Sequence, residues 1–120
     1  MLIAQLTDTH ITVPEDEIGD CYVKLEALRN CVSAINKLDT VPDVVIHSGD
    51  LVHNGSDEEY RLTKSIMDEL PAPYFITPGN RDSVTALTKN FGLNSYQNAG
   101  TTFFQYATNV LGYRLIASDT

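Results

Sequence analysis

PDVVIHSGDLVHNG, residues 42–55, begins as an unbroken apolar, β-branched run and turns polar at Ser48 and Gly49. A continuous run, rather than one that alternates, predicts a strand covered on both faces, as in a parallel sheet. The strand is expected from Val41 to Ser48, and Gly49 to Ser56 then reads as a loop. An Asp placed just beyond such a strand, here Asp50, stands where open α/β sheets bind their ligands.

The same pattern recurs on both sides. Upstream, Leu2 to Thr7 is a short apolar run that opens into Asp8-Thr9-His10. Thr9 to Gly19, with Pro14 and several acids, reads as a loop, and Asp20 as an N-cap. Leu25, Leu28, Val32 and Ile35 repeat at spacings of three and four, predicting an amphipathic helix to about Leu38. Downstream, Ser56 and Glu59 form the S-x-x-E capping pattern of a helix to about Leu70, which Pro71 and Pro73 end. Tyr74 to Thr77 predicts a third strand and Pro78 to Arg81 a turn. Asp82 or Ser83 then caps a short helix to about Phe91, and Gly92 to Thr101 is a loop. Thr102 to Thr108 and Tyr113 to Ser118 predict a closing strand pair around Asn109 to Gly112. The order β-α-β-α-β-α-β-β implies an α/β fold with a mostly parallel sheet and a closing β-hairpin. Without a repeat or linker, residues 1–120 read as one domain.

Bulk composition narrows the function. The 42% hydrophobic and 20% charged content is that of a globular chain. Net charge is −8, from 16 acidic and 8 basic residues. With Lys and Arg scattered, this balance disfavours a nucleic-acid polymer or an anionic membrane as partner. It suits a site that collects divalent cations. No apolar run is long enough to span a membrane, and the N-terminus lacks the pattern of a signal peptide. Cys21 and Cys31 fall on one predicted helix, about 15 Å apart, too far for a disulfide. Both are expected as free thiols used as buried filler, in a reducing cytoplasm.

Three polar clusters thus stand at successive strand ends: Asp8-Thr9-His10, Gly49-Asp50-Leu51-Val52-His53-Asn54, and Gly79-Asn80-Arg81-Asp82. Neighbouring parallel strands would deliver Asp, His, Asp and Asn to one edge of one sheet. Oxygen and imidazole donors suit Mn, Fe, Zn or Co, and a carboxylate can bridge two ions in a dinuclear centre. Taken singly, Asp8 and Asp50 are equally ordinary caps or turn residues, Asn80 a turn residue, and His10 a surface or core His. Their joint order at three strand ends favours the metal site. Tyr74, Phe75, Phe103, Phe104 and Tyr106 read as core. Asp57, Glu58 and Glu59 read as a solvated helix start. His47, within a strand, reads as packed or hydrogen-bonded. The sequences G-x-G-x-x-G and G-x-x-x-x-G-K-[ST] do not occur, which argues against a nucleotide cradle.

The clusters carry a specific resemblance. The chain resembles the first half of a calcineurin-like metallophosphoesterase, whose pattern runs D-x-H, G-D, G-N-H-[DE], a separate His, then G-H-x-H. Asp8 and His10 match the first motif, Gly49 and Asp50 the second, and Gly79, Asn80 and Asp82 the third. MLIAQLTDTH and PDVVIHSGDLVHNG are most similar to bacterial class III cyclic-nucleotide phosphodiesterases and related glycerophosphodiesterases. The resemblance implies the N-terminal half of an αββα sandwich. It implies two divalent metal ions, with Asp8 and His10 on the first, Asp50 bridging, and Asn80 on the second and near the phosphate. It implies hydrolysis of small phosphodiesters such as cyclic nucleotides or glycerophosphodiesters, by in-line attack of activated water.

Two departures shape the expectations. Arg81 stands at the family's His position. A guanidinium keeps its protons at neutral pH and so cannot protonate a leaving group, but its fork suits phosphate. Phosphate binding is expected to be retained and leaving-group protonation weakened. The family's later His and G-H-x-H do not occur in these 120 residues, which reads as a domain truncated at its C-terminus. His53 is then a candidate to support the ligands or to stand in for one, and Asp82 a candidate supporting residue. A sheet without its partner would expose an apolar face and an unpaired edge, so a homo-oligomer is one expectation. The alternative reading is a catalytically weak or inactive fragment that binds metal or phosphate.

Overall fold

The computed structural model describes residues 1–14, 21–92 and 104–118. Its elements are β1 (Ile3–Leu6), α1 (Cys21–Asn36), β2 (Val44–His47), α2 (Asp57–Met67), β3 (Tyr74–Ile76), α3 (Val84–Phe91), β4 (Tyr106–Val110) and β5 (Tyr113–Ala117). Strands β1, β2 and β3 form a parallel sheet with β2 in the middle, in the registers Leu6 opposite His47 and His47 opposite Ile76. The last two strands form the expected antiparallel hairpin.

The central position of β2 explains its continuous apolar sequence. Val44 and Val45 point to opposite faces, and both are fully buried. Toward the helices, the predicted stripe Leu25, Leu28, Val32 and Ile35 is buried along α1. Leu25, Leu28 and Val32 join Tyr60, Ile66 and Met67 of α2 and Leu87 of α3 in one apolar cluster. Across the sheet, the hairpin is tied to β3: the Tyr106 hydroxyl donates to the Ile76 carbonyl at 2.8 Å. Ile46, Phe75, Tyr106 and Leu115 line a shared cavity of about 100 Å³. Ile3 and the hairpin's Ile116 stay exposed.

The helix ends follow their caps. Ser56 accepts from Glu59 N, and the Glu59 side chain accepts from Ser56 N, giving the full capping box of α2. Ser83, rather than Asp82, caps α3 by accepting from Ala86 N at 3.3 Å. Gly92 closes it in the left-handed conformation at φ 67°. Helix α1 ends two residues before the expected Leu38, where Lys37 and Leu38 donate three residues back instead of four.

Three expectations are corrected. Glu59 is fully buried, because its carboxylate also accepts from Asn54 N at 3.1 Å and Asn54 Nδ2 at 2.9 Å. Only Asp57 and Glu58 of that acidic run face solvent. Cys31 is a free thiol but exposed, not buried filler, since it lies off the Leu28–Val32 stripe. The strand expected from Val41 begins only at Val44; Pro42 has no amide proton for a ladder. The expected Asp20 cap, most of the Gly92–Thr101 loop and Phe103 lie outside the described residues.

Candidate metal centre

The parallel pairing of β1 with β2 continues into the two loops that leave them. Asp8 N donates to Gly49 O, His10 N to Asp50 O and Ile11 N to Leu51 O, each at 3.0 Å. Beyond the loops the pairing resumes as a parallel bridge between Ile11 and Val52. Within this interval Asp8, His10 and Asp50 adopt φ values of 56°, 44° and 53°. Leu111 is the sole other non-glycine residue with positive φ among those described. Left-handed backbone is costly for side-chain-bearing residues and concentrates at functional sites. Here it turns three consecutive candidate ligands toward one another.

The side chains meet accordingly. His10 Nε2 lies 3.6 Å from Asp8 Oδ1 and 3.8 Å from Asp50 Oδ2. The ligating atoms of the three residues all fall within 4.8 Å of one another. Ligands about 2.0–2.2 Å from one ion stand roughly 3–4 Å apart, so the spacing fits a shared cation better than direct hydrogen bonds. His10 Nδ1, on the side of the ring away from the two carboxylates, is buried with no hydrogen-bond partner among the described residues. These donors fit the expected divalent metal.

The third cluster reaches the site through its backbone. A Cβ on Gly49 would come within 2.8 Å of Gly79 N, so the two motif glycines pass backbone to backbone. A Cβ on Gly79 would lie 2.2 Å from Asp50 Oδ1. The same oxygen accepts from Arg81 N at 2.8 Å. Asn80 sits between these two contacts and is exposed, as is Arg81. The turn therefore sets Asn80 and Arg81 beside Asp50, at the rim of the Asp8–His10–Asp50 group.

Asp82 turns inward from that rim. Its carboxylate accepts from Gly79 N at 2.8 Å, Leu51 N at 3.2 Å, Val52 N at 3.4 Å and the Tyr60 hydroxyl at 3.0 Å. It thus fastens the loop after β2 to the loop after β3. Tyr60 in turn accepts from Ser83 N at 2.8 Å. Burial and the Asp82 charge push the Tyr60 hydroxyl well above its ordinary range, so it remains a donor. No local sequence signal marks Tyr60, because its contact crosses 22 positions.

The two other histidines occupy different places. The His53 ring meets the His10 ring edge to face, with centroids 6.2 Å apart. His47 is fully buried behind the ligand loops. Burial lowers its pKa to about 4, against the opposing pull of Asp8 and Asp50, so it is neutral at pH 7.

Comparison with known proteins identifies the family. The pattern of the calcineurin-like phosphoesterases matches residues 1–118. The chain is 38% identical over 94 residues to a protein of Arcobacter nitrofigilis named probable glycerophosphodiester phosphodiesterase GpdQ, covering 76% of this chain and 33% of that one. It is 29% identical over 125 residues to a Synechococcus protein named probable cyclic nucleotide phosphodiesterase, covering 98% and 43%. A crystal structure of a protein of unknown function from Aquifex aeolicus superposes with a TM-score of 0.51 at 18% identity, covering 99% of this chain and 60% of that one; that likeness concerns the fold alone. This chain belongs to the calcineurin-like phosphoesterase family, hydrolases of phosphoesters that use divalent metals. It spans well under half the length of these two curated relatives.

Proposed function

We propose that the chain contributes the first three motifs of a dinuclear metal centre that hydrolyses small phosphodiesters, such as cyclic nucleotides or glycerophosphodiesters. The observation that carries this reading is the convergence of Asp8, His10 and Asp50 within 4.8 Å on left-handed backbone. Asp8 and His10 would hold one ion, Asp50 would lie between two, and Asn80 would meet the second. When bound, such ions neutralise charge on the phosphoryl oxygens and make water a nucleophile at neutral pH.

The chain's own residues prepare that site. The Arg81 amide holds Asp50 Oδ1 at 2.8 Å, leaving Oδ2 toward His10. Asp82 locks the two loops that flank Asp50. Arg81, exposed at the rim, would pair its guanidinium with a phosphate oxygen, and His53 would support His10 through their ring contact. The names of the relatives motivate the substrate class, and the free Cys31 thiol fits the reducing cytoplasm proposed for the protein. We take residues 1–120 as one domain, whose open Ile3 and Ile116 surface is where a second copy would pack if it oligomerises.

Hydrolysis of bis(p-nitrophenyl) phosphate with added Mn²⁺ tests the reading, with Asp8→Ala as the control that must lose both metal and turnover. Arg81 in place of the family His favours one second reading, a centre that binds metal and phosphate but turns over weakly. Arg81→His separates the two: it should raise turnover of esters with poor leaving groups, and unchanged rates would remove the assigned role of Arg81.

A further inference from the structure

The buried histidine behind the site sits in a directional chain of hydrogen bonds. Thr9 Oγ1 donates to the Leu51 carbonyl at 2.8 Å. Its single proton being used there, it can only accept from His47 Nε2, which lies 3.0 Å away. On the other side of the ring, Gly49 N donates to His47 Nδ1 at 3.3 Å. All three contacts are satisfied by one form of the ring alone, the neutral tautomer with its proton on Nε2. A proton on Nδ1 would face the Gly49 N–H.

The residues at the ends of this chain are informative. Thr9 stands between Asp8 and His10. Gly49 and Leu51 flank Asp50. We propose that His47 is a positioning residue for the metal centre: its Nε2–H tautomer clasps Thr9 and the Gly49 amide at once, and so sets the spacing between the Asp8–His10 pair and Asp50. The inference rests on the reading that those three side chains hold the metal. Its neutral form is also the form that burial favours, with a pKa of about 4. Leu6 and Ile76, the register partners of His47 on either side, are apolar. An ordinary core residue at this place would be apolar too.

Mn²⁺ calorimetry on the intact protein tests this. His47→Leu removes both hydrogen bonds at similar volume and should weaken Mn²⁺ binding about tenfold or more, the usual effect of losing a residue that orients ligands. His47→Gln, which restores a donor near Thr9, should recover most of that loss. Thr9→Val breaks the same chain from its other end and should weaken binding comparably. The double variant should bind no worse than the weaker single variant, because both cut one connection. In the metal-free protein at pH 7, ¹⁵N imidazole resonances should show His47 as the Nε2–H tautomer.

The outcomes separate the layers of the argument. If Asp8→Ala abolishes Mn²⁺ binding but His47→Leu leaves it unchanged, the positioning role is overturned and the metal centre stands. If the unmodified protein takes up no Mn²⁺, the metal reading falls and this inference with it. If His47→Leu does not fold, Thr9→Val decides, and wild-type affinity in that variant overturns the proposal. An Nδ1–H tautomer would overturn it as well.

Discussion

Replacing Gly79 with alanine adds one carbon at the most crowded point of the site. That Cβ would stand 2.2 Å from Asp50 Oδ1 and 2.3 Å from Asp50 N. Carbon and oxygen need about 3.2–3.4 Å, so something must retreat by about 1 Å. Gly79 has little room to retreat, because the Gly49 backbone passes so close that even a Cβ on Gly49 would lie 2.8 Å from Gly79 N. Moving the Asp50 carboxylate breaks the 2.8 Å hydrogen bond from Arg81 N, and the contact with Asp50 N obliges the backbone to shift as well. Overpacking of this kind costs about 1–3 kcal/mol. Losing a hydrogen bond to a carboxylate adds about 1.5–3 kcal/mol. The expected loss of stability is about 2.5–6 kcal/mol, read as a lower urea midpoint. A displacement of about 1 Å in a reacting constellation costs about 100-fold in rate, and Mn²⁺ affinity should fall by about 10- to 100-fold. Gly92→Ala is the control: it strains a left-handed residue, at φ 67°, as Gly79→Ala does not, but its Cβ meets nothing within 4 Å. That variant should lose only about 1–2 kcal/mol and keep its Mn²⁺ affinity. If Gly79→Ala bound Mn²⁺ like the unmodified protein, the close packing of the two glycine motifs would not be what holds Asp50 in place.

Other consequences follow from buried polar groups. His47 has a folded pKa of about 4 against an ordinary value of 6.5, so the unfolded chain takes up the proton first as pH falls. Stability is complete above about pH 6.5 and declines toward pH 4. The metal-free protein should lose about 2 kcal/mol between pH 7 and pH 5 from this group; denaturant midpoints across that range should flatten in His47→Leu, and an unchanged slope would contradict the assignment. Glu59→Ala leaves the amides of Asn54 and Ser56 and the Asn54 side-chain amide without their acceptor. It should cost about 2–4 kcal/mol in thermal or urea unfolding, whereas Glu58→Ala should change little. Tyr60→Phe removes the hydroxyl between Asp82 and Ser83. About 1–2 kcal/mol of stability should go with it, together with a measurable weakening of Mn²⁺ binding.

The parts of the fold that depend on local chemistry were legible in the sequence. The β-branched run at Val44–Ile46, the Ser56–Glu59 capping pair and the stripe on α1 each carry their own signal. So do the three polar clusters, because a strand end fixes where its next residues go. The order of the strands then brings Asp8, His10 and Asp50 to one edge. What the sequence did not show are contacts between distant positions. Glu59 looks like any acid in a first helical turn until Asn54 folds over it. Tyr60 has the look of a core aromatic, yet its hydroxyl supports Asp82. The sequence marks Gly49 and Gly79 as turn residues, while the structure shows that Gly49 is required by the backbone of Gly79, and Gly79 by the close approach of Asp50. Cys31 was read as buried from residue type, and one position of helical phase put it outside.

The bridge between Ile11 and Val52 has a further implication. Strand pairing is made below the candidate ligands and made again above them, so the stretch that bears them resembles a bridge deck fixed to both banks. Such a segment has no free end to swing. Exchange of cations would then proceed by side-chain rotation and solvent entry at the open Asp8 rim, with the main chain standing still throughout.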